Sequence, residues 1–117
     1  MIIKQKQCKG ILNAISELKK DRAISIQTKY KILKIEKILN EESEIAYELF
    51  QELGEKYGEQ INNSEIKIKD EYLKVAKEQI DQFNNQDITL PDLFFEIDEF
   101  PNLSWESLEA LMPFIKN

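Results

Sequence analysis

The apolar positions of this chain repeat with a helical period over most of its length. Cys8, Ile11, Leu12, Ile15 and Leu18 are spaced so that they share one face of a first helix. Because Cys8 is in register with that face and no acid, base or cation is arranged to activate it, we expect a buried thiol and not a reactive one. Upstream, the isoleucines at positions 2 and 3 fit either a short strand or an apolar anchor.

A second helical pattern is much longer. After residues 24–26, which we expect to be extended, it predicts a helix over residues 27–57 that ends at Gly58. The apolar positions of this helix are Tyr30, Leu33, Ile35, Ile38, Leu39, Ile45, Ala46, Leu49, Phe50, Leu53 and Tyr57. A helix of this length measures about 46 Å, so the first helix cannot cover it alone and later elements must pack on its far half.

Two shorter elements follow the long helix. Residues 59–61 and 65–68 alternate like two strands around an Asn-rich turn, which predicts a small β-hairpin. Asp70 is placed to cap a third helix. The apolar face of that helix consists of Tyr72, Leu73, Ala76, Ile80 and Phe83.

The last third of the chain changes period. Residues 87–90 are expected to be extended, whereas residues 92–100 fit no single element. After a Pro-Asn break, Ser104 is a good N-cap for a last helix that ends at Pro113, and Glu106 suits its positive first turn. The Phe and Trp side chains of this region are expected mostly to fill gaps between helices while its acidic side chains face water.

The order of these elements predicts a mainly α fold with a small β component. Three shorter helices pack on a long central helix, beside a β-hairpin or short strands. No repeat, low-complexity tract or flexible linker interrupts residues 1–117, so we expect a single domain.

The same order resembles a family of small uncharacterised proteins encoded by tailed phages and prophages of low-GC Gram-positive bacteria. The resemblance is carried by residues 26–39 and 55–58 of the long helix, by residues 66–68, the third helix and residues 87–90, and by the closing residues 103–111. It implies a phage setting and carries over no activity and no site residue, because the family has neither assigned.

Charge is distributed unevenly along the chain. The 22 acidic and 16 basic residues give a net charge of −6, but residues 1–40 carry +7 and residues 41–117 carry −13. With no histidine and one cysteine, the chain cannot form a Cys/His zinc site, an internal disulfide or a histidine-activated nucleophile. No carboxylate pair stands out for catalysis and three glycines form no phosphate loop, so we expect a non-enzyme without cofactor or metal. Generic Mg²⁺ binding by carboxylates stays open.

Five glutamates recur at steps of three or four residues along the second half of the long helix. They are Glu41, Glu44, Glu48, Glu52 and Glu55, and Glu59 follows just past the helix end. We name these five residues the acidic face. Each pair of like charges at this spacing destabilises the helix by about 0.2–0.5 kcal/mol, although Glu52 and Lys56 are spaced to form a favourable pair. The acidic face fits either a solvated surface that keeps the protein in solution or a docking surface for a basic partner.

A second candidate surface follows the third helix. Residues 78–115 contain nine acidic and no basic groups, together with six of the eleven aromatic residues. Phe94 and Phe95 are adjacent and cannot both point inward from a strand, so one of them is a candidate interface anchor. The candidate partner-binding residues of this segment are Asp92, Phe94, Phe95, Glu96, Asp98 and Glu99.

These patterns indicate the kind of partner. Direct nucleic-acid binding is not expected, because a −13 segment repels phosphate and the lysines near the start of the long helix are interleaved with core positions. A protein with a basic surface fits the acidic segment, and the +7 and −13 parts favour head-to-tail or antiparallel self-association.

The sequence also predicts where the protein works. Residues 1–9 lack a signal-peptide stretch and no apolar run approaches the roughly 18 residues of a membrane span, so we expect a cytoplasmic protein without membrane contact, in the host cell if a phage encodes it. The function predicted is non-catalytic protein-protein interaction, in virion assembly or on a host factor. The alternative is an inhibitor of a host defence nuclease, similar to an anti-CRISPR protein, whose acidic surface mimics nucleic acid.

Overall fold

A single long helix runs the length of the molecule. The computed structural model describes residues 1–116, which extend over 50 × 28 × 23 Å. The helices and strands in chain order are β1 Ile2–Lys4, α1 Cys8–Lys19, α2 Ile26–Tyr57, β2 Gly58–Asn62, β3 Glu65–Ile68, α3 Leu73–Asn84, β4 Asp87–Thr89 and α4 Trp105–Leu111. Four single 3₁₀ turns join them: Gln5–Gln7, Asp70–Tyr72, Ile97–Glu99 and Met112–Phe114. The expected architecture, mainly α with a long central helix, three shorter helices and small antiparallel strand pairs, is confirmed.

Helix α2 begins one residue earlier than the sequence pattern predicts. The Ser25 hydroxyl accepts a hydrogen bond from the Thr28 N–H at 3.2 Å, which makes Ser25 the N-cap and Ile26 the first helical residue. The expected extended conformation at Ile26 was therefore wrong. At the other end α2 runs directly into β2 at Gly58, whose N–H donates to the Gly54 carbonyl and whose backbone is extended and not left-handed.

The first half of α2 packs against α1, and the two helices form one wall of the core. The buried positions on α2 are Thr28, Ile32, Ile35 and Leu39, a spacing of four, three and four residues that keeps them on one face. Ile35 and Leu39 were predicted as apolar core positions, but Ile32 and Thr28 were not. Since α2 carries more apolar residues than one face can bury, Tyr30, Leu33 and Ile45 are left on its exposed side.

The rest of the core comes from both ends of the chain. Strand β1 pairs antiparallel with β4, with Ile3 opposite Ile88, so the two isoleucines at the start are in a strand and not merely an anchor. Helix α4 crosses α1 and is capped by the Ser104 hydroxyl, as predicted, which accepts from the Ser107 N–H. Phe114 follows in the last 3₁₀ turn and is completely buried.

The far half of α2 is covered more thinly. Strands β2 and β3 form the predicted hairpin at the helix end, and α3 contacts α2 through Phe50 and Phe83, whose rings meet edge to face with centroids 5.3 Å apart. Asp70 does not cap α3 as predicted, because it occupies the first position of the 3₁₀ turn before the helix, where no side-chain cap forms. Among the described residues of α3, Ala76 alone is fully buried.

Candidate protein-binding surfaces

The acidic face is brought together as the sequence predicts. All five of its glutamates are exposed and lie on the second half of α2, where steps of three and four residues keep them within one side of the helix. Carboxylates four residues apart on a helix repeat about every 6 Å. The result is a row of negative groups along one side of the helix that faces away from the core.

No described basic group neutralises this row. Within residues 1–116, none of the five glutamates of the acidic face forms an ion pair. The expected pair between Glu52 and Lys56 does not form, because the Lys56 ammonium lies over the Tyr57 ring, 5.2 Å from its centroid. The like-charge cost at three- and four-residue spacing is therefore not offset within the fold.

The second predicted surface is at the opposite end of α2. The backbone carbonyl of Phe94 accepts a hydrogen bond from Lys31 at 3.0 Å, which fixes this segment beside the first turns of the helix. Lys31 and Glu48 are about 26 Å apart along the helix axis. The structure thus separates the predicted binding residues into two surfaces and does not combine them.

Several residues of this second surface are already engaged within the chain. Glu99 accepts a 2.6 Å hydrogen bond from the Thr28 hydroxyl and a 2.7 Å bond from the Glu96 N–H. Asp92 forms an ion pair with the N-terminal ammonium at 2.6 Å, and Glu96 forms an ion pair with the Lys116 ammonium at 3.7 Å. Of its acidic members, Asp98 is exposed and forms no ion pair with any described group.

The adjacent phenylalanines separate as expected. Phe95 is buried, pairs by backbone with the segment after α4 and packs against the Phe100 ring in a tilted arrangement with the ring centroids 5.0 Å apart, so its ring is not accessible to a partner. Phe94 is 36% exposed and, with Met112 and Ile115, lines a shallow depression. Of the two rings, Phe94 is thus the one that a partner can reach.

The expectation that the Phe and Trp side chains of residues 78–115 mostly fill gaps between helices does not hold for Trp105. Its side chain is 72% exposed. The cap at Ser104 makes Trp105 the first residue of α4, while the buried positions of the helix are Ser107 and Leu111. Because one face of this short helix already covers α1, the indole at its start projects into solvent.

Among residues 1–116, the surroundings of Cys8, Glu17 and Glu99 shift the pKa values of these side chains. Burial raises the pKa of the Cys8 thiol, with a smaller rise from the nearby Glu42 charge and an opposing effect of the Ser43 hydroxyl, which agrees with the predicted unreactive thiol. Hydrogen bonds from Ser107 and Ser104 lower the pKa of Glu17.

Burial raises the pKa of Glu99, but the combined effect of its hydrogen bonds and neighbouring charges is larger. The Thr28 hydroxyl and the Glu96 N–H donate to the carboxylate, and Lys31 and Lys116 add positive charge, so the pKa of Glu99 is below its ordinary value. Glu17 and Glu99 both stabilise the fold as carboxylates, and neither carries the raised pKa of a general acid.

Sequence reasoning did not identify a groove between the far half of α2 and α3. It has a volume of about 280 Å³ and is lined by Leu49, Phe50, Leu53, Ile80 and Phe83, with polar groups at its rim. The sequence predicted all five residues as apolar positions on one or the other helix. The gap between the two helices could not be predicted, because it depends on how far apart the helices lie in the fold.

Within residues 1–116, no group of three or more Cys, Asp or Glu side chains is arranged to hold a metal ion. No helix of the same residues has the length and apolar character needed to cross a bilayer.

Comparison with protein-family models, with curated protein sequences and with solved structures found no match to this chain. The resemblance to phage-encoded proteins therefore stays a prediction from the sequence. The function has to be argued from the surfaces themselves, of which the acidic face is the less engaged by the rest of the chain.

Proposed function

We propose that this chain is a non-catalytic protein that acts by binding another protein, and that the acidic face of α2 is its main contact surface. The observation that supports this most strongly is the row of five exposed glutamates, none of which forms an ion pair within residues 1–116. A partner with a basic surface offsets the repulsion between these carboxylates when it binds. Relief of this repulsion, which is present in the free folded protein, makes the free energy of association more favourable.

Hydrophobic contacts supplement the charges on the same half of the helix. Ile45 is 50% exposed and Tyr47 is 65% exposed, and both are next to glutamates of the acidic face. An aromatic side chain beside charged groups is typical of residues that dominate binding energy in protein interfaces. On this account the protein works in the cytoplasm of a phage-infected host, in virion assembly or on a host factor.

A second candidate function is inhibition of a host defence nuclease by nucleic-acid mimicry. It is favoured by the regular spacing of the acidic face, because carboxylates about 6 Å apart along one helix approximate the regular negative charge of a nucleic-acid backbone. The basic groove of a nuclease is then the partner surface. The two functions share the same face and differ in the protein that they capture.

A charge-reversal experiment tests the proposal. E44K/E48K/E52K/E55K should abolish capture of the partner from phage-infected cells while helicity, measured by circular dichroism, is preserved. The matched control is E65K/E71K/E78K/D81K, which changes the net charge equally at exposed positions outside the acidic face. Capture that is lost with both variants, or with neither, would contradict the assignment of the contact to this face.

A further inference from the structure

The exposed side of α2 continues in one line from its basic half into its acidic half. Tyr30, Lys34 and Lys37 precede Glu41, Glu44 and Glu48 in alternating steps of four and three residues. This is the spacing at which one helix lies along another. All six side chains are exposed, so the whole line faces solvent.

The two halves of this line are complementary in charge. Lys34 and Lys37 form no ion pair within residues 1–116, although the Lys34 ammonium lies 4.7 Å from the centroid of the Tyr30 ring. Glu44 and Glu48 are likewise unpaired there. A surface that carries unpaired positive groups in one half and unpaired negative groups in the other is complementary to a copy of itself turned end to end.

We propose that the acidic face binds a second copy of this chain, in an antiparallel dimer formed by the two α2 helices. The inference rests on the proposed function, because it uses the same face, and it names the partner. A two-fold axis beside residues 40 and 41 brings Lys37 of each copy opposite the second copy's Glu44, and Lys34 opposite the second copy's Glu48. An antiparallel pair also opposes the two helix dipoles favourably.

Exposed apolar groups lie along the same contact. Tyr30 is 60% exposed on the basic half and Ile45 is 50% exposed on the acidic half, and in this register each lies over the charged half of the other copy. The methylene stems of lysine and glutamate cover such groups when the helices pair. Because most of the contact is charged, the dimer should depend strongly on salt.

A basic protein other than this chain would complement the acidic half alone and leave Lys34 and Lys37 without a negative group opposite them. An antiparallel second copy is the partner that matches both halves with one surface. This distinguishes self-association from a general attraction between an acidic protein and any basic surface.

Sedimentation equilibrium of the full chain tests the dimer. The wild type should sediment as a dimer at about 0.1 M salt and dissociate at about 1 M, where the Debye length falls from about 10 Å to about 3 Å. K37E and E44K should each weaken dimerisation about tenfold, since each reversal places like charges at two symmetry-related contacts. Circular dichroism of each variant serves as the control for folding.

The decisive arm combines the two reversals. An equimolar mixture of K37E and E44K, and separately the double variant K37E/E44K, should recover the wild-type dissociation constant to within about threefold, because both place opposite charges at every contact. A wild type that is monomeric at low salt, or reversals that fail to compensate, would overturn the dimer. If E44K/E48K/E52K/E55K still loses a captured host or phage protein in that case, the proposed function stands without the dimer.

Discussion

Glu17 shows how one charged side chain joins two helices. It projects from α1 and accepts hydrogen bonds from the Ser104 N–H at 2.9 Å, from the Ser104 hydroxyl at 2.8 Å and from the Ser107 hydroxyl. Ser104 is at the same time the cap of α4. The carboxylate therefore holds the first turn of α4 against α1, and its charge matters because these donors stabilise the ionised form.

This arrangement predicts a specific acid sensitivity. Because the pKa of Glu17 is lowered from its ordinary 4.5, its contribution to stability is complete above about pH 4.5 and is lost as the pH falls through the folded-state pKa. Glu17→Gln should lower the free energy of unfolding by about 1–2 kcal/mol at pH 7, and by much less near pH 2.

Urea unfolding at the two pH values measures the difference. Glu109→Gln is the control. Glu109 is an exposed acid of α4, the helix that Glu17 holds, and it forms no ion pair among the described residues. An effect of Glu17→Gln that is equal at pH 7 and pH 2 would show that the carboxylate charge is not what joins the helices.

At the scale of single residues, the sequence predicted those whose surroundings are local. The cap at Ser104 and the buried position of Cys8 follow from neighbours three or four residues away, which the sequence displays. The partners of Glu17 and Glu99 could not be predicted, because Ser107 and Thr28 are 90 and 71 residues distant from them along the chain.

Helix α2 divides into two halves that differ in what covers them. The core cluster includes Ile32, Ile35 and Leu39 of its first half and no residue of its second half. The hairpin closes the end of the second half, where Gly58 passes close to the α2 backbone. A β-carbon at Gly58 would collide with the Gly54 carbonyl oxygen and with the Ile66 side chain.

Two glycine substitutions should therefore have opposite effects. Gly58→Ala should destabilise the protein by about 1–3 kcal/mol, because a backbone atom must move to relieve the collision. Gly10→Ala, in the interior of α1, should stabilise it by about 0.5–1 kcal/mol, since its β-carbon would meet only the Ala110 β-carbon at 3.8 Å.

Thermal unfolding of the two variants and the wild type measures whether each substitution lowers or raises the stability. A neutral or stabilising Gly58→Ala would mean that the hairpin does not dock closely on the end of α2. Amide exchange at β2 and β3 then distinguishes local loosening from global unfolding.

At the scale of elements, the sequence predicted helices from their period and misjudged where they face. Tyr30, Leu33 and Ile45 have the right spacing for α2 but are exposed. Which of several apolar faces is buried depends on where α1 and α4 pack, and that is a tertiary property. The ambiguous residues 92–100 fold as irregular segments with one 3₁₀ turn, held by contacts that no local pattern encodes.

The charge asymmetry of the chain becomes a spatial one in the folded molecule. Helix α2 spans nearly the full 50 Å length of the described residues, with four of its five lysines in one half and the acidic face in the other. This arrangement follows from the sequence alone, because both charge clusters lie on one predicted helix. The separation of the second surface from the acidic face does not, since it depends on Lys31 holding the Phe94 segment at the basic end.

If the acidic face serves a partner, its glutamates contribute nothing to the stability of the fold and are available for contact. The most direct test is the urea unfolding free energy of E44Q/E48Q/E52Q/E55Q at low salt, beside the wild type. If the four charges only repel one another, their removal should raise the free energy of unfolding by about 1 kcal/mol. A decrease of similar size would contradict the claim, because the glutamates would then stabilise the folded chain itself.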